Sequence, residues 1–235
     1  MNFLRFSFSL FLAAAPVLAA DQLTGFPFQS ETLRYNIQWP SGISMGEASI
    51  GAQRSGAAGW RFDMHFSAGV PGVLFADTYR SNVTAELCSA DLERTMTHGS
   101  KKVTEKTTFD QTRNLAERQT LSPAGGGKSE LHLPACARDA LAFQFFARRE
   151  MGQGRVPQAS KVFFGSPYDV RMEYTGAMDI PFGGKNQVTD HVNVYVKGPA
   201  SDSTVEIFYA RDAARTPLLI KIPAPVGKIS LELVR

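Results

Sequence analysis

The side chains best suited to metal chemistry are scattered along this chain. The four histidines form no HxH pair, no HExxH motif and no cluster with cysteine, and they are His65, His98, His132 and His191. Metal sites usually need ligands at such close and recurring spacings. The sequence therefore predicts no metal site and no cofactor.

Two short motifs come near to catalytic or phosphate-binding patterns. Gly46 to Gly51 (GEASIG) has one residue too many for a nucleophile elbow and lies within a strand pattern. Gly125 to Ser129 (GGGKS) lacks the first glycine of a phosphate-binding loop, because Ser122 stands there, and the following LHLP is not a helix start. We interpret the second motif as a hairpin loop with a solvated lysine.

Carboxylates could form a glycosidase pair only if the fold brought two of them together. Candidates in principle are Glu31, Asp77, Glu173 and Glu206. Single carboxylates of this kind usually lie on the surface or form ion pairs. The sequence defines no catalytic residue.

The chain has two cysteines, Cys88 and Cys136. In an oxidising compartment an even pair far apart in sequence predicts one disulfide. Two free buried thiols are the alternative.

The first twenty residues have the pattern of a secretory signal. Arg5 gives a positive start, an apolar run follows from Phe6 to Leu12, and small residues end the segment at Ala19-Ala20. The run is too short to span a bilayer. We predict a signal peptide over 1–20 and a single β-rich domain over 21–235. Two sub-sheets that meet near 150–160 are an alternative for this domain. The location that we predict is the periplasm, and the protein should not be integral to the membrane.

Short segments of alternating apolar and polar residues dominate the remaining chain. Leu33, Tyr35, Ile37 and Trp39 share one parity, and similar segments recur up to Lys228–Val234. Such segments, separated by turn residues, predict an antiparallel β protein: a curved sheet, half-barrel or sandwich.

One segment breaks the alternation and predicts the main helix, near residues 138–151. Asp139 suits the helix start, Arg148 and Arg149 suit the last turn, and Gly152 follows. Apolar residues, Phe145 and Phe146 among them, cover much of its circumference, so we expect a buried helix on or inside the sheet.

The charge of the chain is low and its basic residues are dispersed. The net charge is +3, and the only adjacent basic pairs are Lys101-Lys102 and Arg148-Arg149, which we interpret as solvated. No case for nucleic acid follows.

Several short motifs resemble the exported bacterial proteins called domain of unknown function 3108. They are Glu31–Trp39 followed by Gly46-Glu47-Ala48, Asp77–Ser81, Thr107–Asp110, Arg138–Leu141 and Asp212–Pro217. The resemblance implies a mostly β protein of the bacterial envelope with no established activity. The family in turn looks distantly like periplasmic lipoprotein carriers, whose half-barrel shelters an apolar cavity.

Two functions compete on these grounds. The first is a non-enzymatic binding protein for a lipid, a lipoprotein acyl chain or another apolar ligand, or a chaperone of envelope components, which the 17 phenylalanines would suit. The second is a structural or interaction protein in envelope assembly, and a glycan or peptide hydrolase is a third, weaker candidate. An apolar cavity favours the first, a closed core with an exposed apolar patch favours the second, and two facing carboxylates would favour the third.

Overall fold

The computed structural model describes residues 25–56, 59–70, 73–199, 202–224 and 227–234. The predicted signal peptide, 1–20, lies outside these residues. Fifteen strands and one helix make up the described chain. The first eight strands are β1 (Glu31–Gln38), β2 (Ser44–Ser55), β3 (Gly59–Val70), β4 (Val73–Val83), β5 (Ser89–His98), β6 (Lys101–Asp110), β7 (Leu115–Ser122) and β8 (Lys128–His132). The others are β9 (Arg138–Asp139), α1 (Ala140–Gly152), β10 (Ser160–Phe163), β11 (Pro167–Phe182), β12 (Lys185–Lys197), β13 (Asp202–Ala210), β14 (Pro217–Ala224) and β15 (Gly227–Leu233).

All fifteen strands belong to one sheet, in the order β8-β7-β6-β5-β4-β3-β2-β1-β15-β14-β13-β12-β11-β10-β9. Neighbours are antiparallel except β9 and β10, which are parallel. The first and last strands pair in the middle of the sheet, where Ile37 lies opposite Leu231. The sheet is not closed into a barrel, which confirms the predicted mainly β, curved antiparallel architecture in its half-barrel form.

The helix α1 follows the edge strand β9 and leads into β10, the strand next to β9 in the sheet. It begins as predicted: the Asp139 carboxylate caps it by accepting hydrogen bonds from the backbone N–H groups of Leu141 at 2.9 Å and Ala142 at 3.0 Å. Further along the helix, the ring of Phe145 stacks on the ring of Phe62 of β3 at a centroid distance of 4.0 Å. The helix therefore lies against the concave face of the sheet.

Three details differ from the sequence predictions. Arg148 is completely buried instead of solvated, because it forms an ion pair with Glu31. Phe146 is only half-buried, whereas Phe145 is fully buried. The strands β8 and β9 were not predicted, since one follows a glycine run and the other has two residues.

The turns divide into two groups because antiparallel strands reverse direction at alternate ends of a sheet. We call one group the mouth end; it holds the turns β1–β2, β3–β4, β5–β6, β7–β8, β10–β11, β12–β13 and β14–β15. The opposite group is the closed end. There Phe26, which is fully buried, packs on Trp60 and Phe145 with ring centroids 4.9 Å away in both cases. Gly152, at the end of α1, approaches the β13–β14 turn, so helix and loops cover this end.

Candidate apolar binding cavity

A cavity of about 490 Å³ lies between α1 and the concave face of the sheet. The helix contributes one wall, and strands β10 to β15, with single residues of β2 and β3, contribute the other. Its lining residues are Ile50, Met64, Ala140, Phe143, Gln144, Ala147, Val162, Phe164, Tyr168, Val170, Met172, Val194, Val196, Val205, Ile207, Tyr209, Ile220, Ile222 and Leu231. Sites for small ligands in proteins commonly occupy roughly 300–1,000 Å³, so this space suits one.

The sheet wall is apolar because its strands present β-branched side chains at every second position. On β12 and β13, Val194 lies opposite Val205, and Val192 lies opposite Ile207. Cross-strand partners point to the same face of a sheet, which leaves an unbroken aliphatic surface. The alternation in the sequence predicted this surface but not the space above it.

The cavity reaches the surface at the mouth end. Ile222, two residues before the end of β14, is 37% exposed although it lines the cavity. Met64, Val205 and Ile207 are half-buried at the same wall. An apolar wall that solvent can reach is an unfilled binding surface.

Three polar side chains interrupt the apolar lining, and none of them is a carboxylate, an amine or a guanidinium. They are Gln144, Tyr168 and Tyr209. Burial raises the pKa of Tyr209 above its ordinary value, so its hydroxyl stays protonated. The amide of Gln144 forms no hydrogen bond with any other described residue and faces the cavity as a free donor and acceptor.

One wall of the cavity depends on the turn after β10. Phe164 lines the cavity, and its ring lies 5.1 Å from the ring of Tyr79 on β4. The guanidinium of Arg118 donates to the carbonyl oxygen of Gly165 at 2.6 Å. Gly165 has a φ of +76°, a conformation that favours glycine, and a Cβ there would also displace the guanidinium of Arg94.

We call Arg94, Glu105 and Arg118 the clasp. Arg94 Nε donates to the carboxylate of Glu105 at 2.6 Å, and both side chains are largely buried. The Arg94 guanidinium also lies 5.5 Å from the ring of Phe164. The clasp therefore joins β5, β6 and β7 to the β10–β11 turn, across the gap that keeps the sheet open.

The start of α1 is anchored by the fully buried carboxylate of Asp139. Besides the two helix N–H groups, it accepts hydrogen bonds from the hydroxyls of Ser81 at 2.5 Å and Ser89 at 2.6 Å. Burial raises the pKa of Asp139, and these hydrogen bonds oppose the rise. All four donors serve to hold the helix, which leaves the carboxylate no access to a substrate.

The last turn of α1 is anchored by Arg148. It forms an ion pair with Glu31 at the start of β1, and its Nε donates to the carbonyl oxygen of Ala214 at 3.0 Å. Glu31 stands 117 residues earlier in the chain. No local pattern reveals a pair separated by that distance, which explains why the sequence failed to predict it.

The cysteines lie together, as the even count predicted. Cys88, in the β4–β5 turn, is disulfide-bonded to Cys136, and their Cα atoms are 4.7 Å apart. Next to them the N–H of Ser89 donates to the carbonyl oxygen of Ala137 at 3.0 Å. The bond thus ties β4 and β5 to the chain that enters α1.

The remaining candidate carboxylates each face a different partner. Asp77 accepts from Tyr79 and contacts His98, both at 3.1 Å. Glu173 pairs with Arg171 at 2.8 Å, and Glu206 pairs with Lys228. No hydrogen bond joins any two of the four sequence candidates, although Glu173 and Glu206 share one face of the sheet on either side of Asn193.

A larger depression of about 620 Å³ has a different character. Charged side chains of β10 to β13 line it, and Lys161 pairs there with Asp169 at 2.6 Å. We interpret it as a solvated strand surface, because its charged side chains are exposed.

Fold and cavity together define a mostly β protein in which a half-barrel and one buried helix enclose an apolar space. The family model described as "Protein of unknown function (DUF3108)" matches residues 34–234, and the chain belongs to this family. This confirms the resemblance found in the sequence motifs. No curated protein sequence matches the chain.

A solved structure shows a similar fold. It is the crystal structure of a "Beta-barrel-like Protein of Domain of Unknown Function DUF1849" from Brucella abortus, with a TM-score of 0.63 and 8% sequence identity. The match covers 87% of this chain and 95% of that chain. In the described part of the present chain, no helix has the length and apolar character needed to cross a membrane.

Proposed function

We propose that this protein is a non-enzymatic binding protein of the bacterial periplasm that holds an apolar ligand, a lipid or a lipoprotein acyl chain, in the cavity under α1. The observation that carries the proposal is the cavity itself: about 490 Å³, lined by aliphatic and aromatic side chains, with no charged group among its described lining residues. An enzyme's site would bring charged acid–base groups or an activated nucleophile to such a space.

The energetics favour an acyl chain. Each buried methylene group contributes about 0.8 kcal/mol, so a chain with ten buried methylenes gains on the order of 8 kcal/mol before the cost of ordering it. Gln144 and the two tyrosines could orient a polar ester or carboxyl group near one end of such a chain.

The proposed location has two supports. The first twenty residues have the pattern of a cleaved signal. The Cys88–Cys136 pair suits an oxidising compartment. Intact mass of the exported form tests the location, and a form that retains residues 1–18 would contradict it.

Displacement of a fluorescent fatty acid tests the binding function. Val205→Trp places a large ring in the cavity, whereas Thr204→Trp places the same ring on the opposite face of the same strand, so it is a matched control. We expect Val205→Trp to weaken probe binding at least tenfold and Thr204→Trp to leave it unchanged. Equal probe binding by both variants, each with an unchanged thermal midpoint, would overturn the proposal.

Native mass spectrometry of the protein purified from its own cell envelope would identify the ligand. A co-purifying lipid supports the proposal. Ligand-free protein that also fails to bind the probe favours the alternative of an interaction protein in envelope assembly.

A further inference from the structure

The turns at the mouth end combine exposed apolar side chains with lysines. Four large apolar residues lie in these turns or within two residues of them: Ile43, Val73, Leu74 and Leu121. Ile43 is 68% exposed and Leu74 is 55% exposed. At the closed end, among the described residues, Phe28 is 41% exposed, Val156 is 42% exposed and Val234 is 45% exposed, all less than Ile43 and Leu74.

Charge at the same end is almost entirely positive. Within two residues of the mouth-end turns the described charged residues are the exposed lysines Lys101, Lys102, Lys128, Lys197 and Lys228, and one acid, Asp202. Lys101, Lys102 and Lys197 form no ion pair with any described residue. The local excess is large for a chain whose whole net charge is +3.

We propose that the mouth end docks on an anionic lipid surface, with the apolar turn residues entering the interface and the lysines contacting lipid phosphates. Apolar side chains flanked by basic residues are the pattern of proteins that bind such surfaces. A second copy of this chain is disfavoured as the occupant, because a symmetric contact would bring two lysine-rich rims together.

This inference deepens the proposed function and rests on it for its purpose. The cavity opens at this end, where Ile222 reaches solvent. Docked in this way, the protein would exchange an acyl chain with the bilayer without moving it through water. Neither the cavity nor the turns alone would suggest this coupling.

The test is sedimentation of the full-length exported protein with vesicles of phosphatidylcholine, with and without an equal part of phosphatidylglycerol. We expect binding to the anionic vesicles only, and loss of binding near 1 M salt, where the screening length falls to about 3 Å. Each lysine near an anionic surface contributes about a factor of five to binding. Lys101→Gln with Lys102→Gln should therefore weaken binding by about thirtyfold.

Matched controls lie at the other end of the sheet. Arg113→Gln with Lys185→Gln removes two exposed cations of the closed end and should leave vesicle binding unchanged. Leu74→Ser should reduce binding, whereas Val188→Ser, at a similarly exposed strand position away from the mouth, should not. Equal losses at both ends, or absence of binding to anionic vesicles, would overturn docking through the mouth.

The fatty-acid probe separates the two proposals. Rim variants that lose vesicle binding but retain the probe show that docking is distinct from the cavity. If the protein binds vesicles but does not bind the fatty-acid probe, the proposed apolar ligand is contradicted and docking is supported. A stable dimer that ignores vesicles, with its apolar turns protected, would assign the mouth to a second copy and contradict the lipid surface.

Discussion

The two halves of the concave face are built by the same antiparallel strands but carry different side chains. On β11 to β15 the inward positions are aliphatic, as in the opposed pair Met172 and Val194. On β4 to β6 the inward row passes from Tyr79 to Arg94 to Glu105, each opposite the next. The helix packs closely on β3 beside this second row, and the open cavity lies over the aliphatic half.

The two halves of the concave face therefore have different structural roles. In the half formed by β4 to β6, charged groups contact the β10–β11 turn and so fasten the edges of an open sheet. In the half formed by β11 to β15, no charged side chain lines the space between sheet and helix, and that space stays free. An unclosed sheet thus holds a cavity without collapsing on it.

The helix itself allows the largest test of this contrast. Phe145 is fully buried between Phe26 and Phe62, so Phe145→Ala should lower the free energy of unfolding by about 3–5 kcal/mol. Phe143 lines the cavity and already lacks contacts on one side. Phe143→Ala should therefore cost about 2 kcal/mol or less.

Denaturant unfolding of the two variants measures the difference. The Phe145 variant should have the lower midpoint with an unchanged slope. Equal costs would contradict the unequal packing of the two sides of α1.

The disulfide sharpens the comparison, because it fastens the β4–β5 turn to the chain that enters α1. Removing it by Cys88→Ala with Cys136→Ala releases a loop with a sequence separation of 48. Chain entropy then predicts a loss of roughly 4 kcal/mol, which is a large part of the stability of about 5–15 kcal/mol that domains usually have. Denaturant unfolding with and without reductant measures the loss.

Thiol titration of the unfolded, unreduced wild-type protein is the accompanying control. Two free thiols per chain would show that the cysteines are simple core residues. In that case reductant should leave the denaturant midpoint of the wild type unmoved.

The clasp predicts a smaller effect with a functional consequence. Glu105→Gln leaves the largely buried guanidinium of Arg94 without its counter-charge and should cost about 2 kcal/mol. Lys106 lies on the same strand as Glu105, and Lys106→Gln, which breaks its exposed pair with Glu93 of β5, should cost no more than about 0.5 kcal/mol.

Because the clasp holds Phe164 in the cavity wall, Glu105→Gln should also speed release of a bound fatty-acid probe, measured by stopped-flow. Lys106→Gln should leave the release rate unchanged. Unchanged release in both variants would show that the clasp stabilises the sheet without shaping the cavity.

Strand positions and the helix followed from local patterns, whereas the features that make the site did not. Alternation of apolar and polar residues predicted β1 and the strands that form the cavity wall, and Asp139 marked the start of the helix. The Arg148–Glu31 pair and the clasp join residues far apart in sequence, and charge alone suggested solvation for Arg148. The cavity depends on how far α1 stands from the sheet, a distance that no segment encodes by itself.

The smallest predicted effect concerns the single amide in the aliphatic half. Gln144 lies on a wall where its neighbours Phe143 and Ala147 are apolar, and it has no hydrogen-bond partner among the described residues. Gln144→Leu removes a polar group that gains little from its surroundings, so the free energy of unfolding should change by less than about 0.5 kcal/mol.

If the amide binds a polar group of the ligand, the variant should lose affinity for a fatty acid by about five- to tenfold, as expected for one net hydrogen bond of about 1 kcal/mol. A hydrocarbon probe of equal length should bind the variant as well as the wild type or better. A loss of affinity for both probes would mean that leucine obstructs the cavity, and no change for either would place the ligand's polar end away from Gln144, nearer Tyr168 or the mouth.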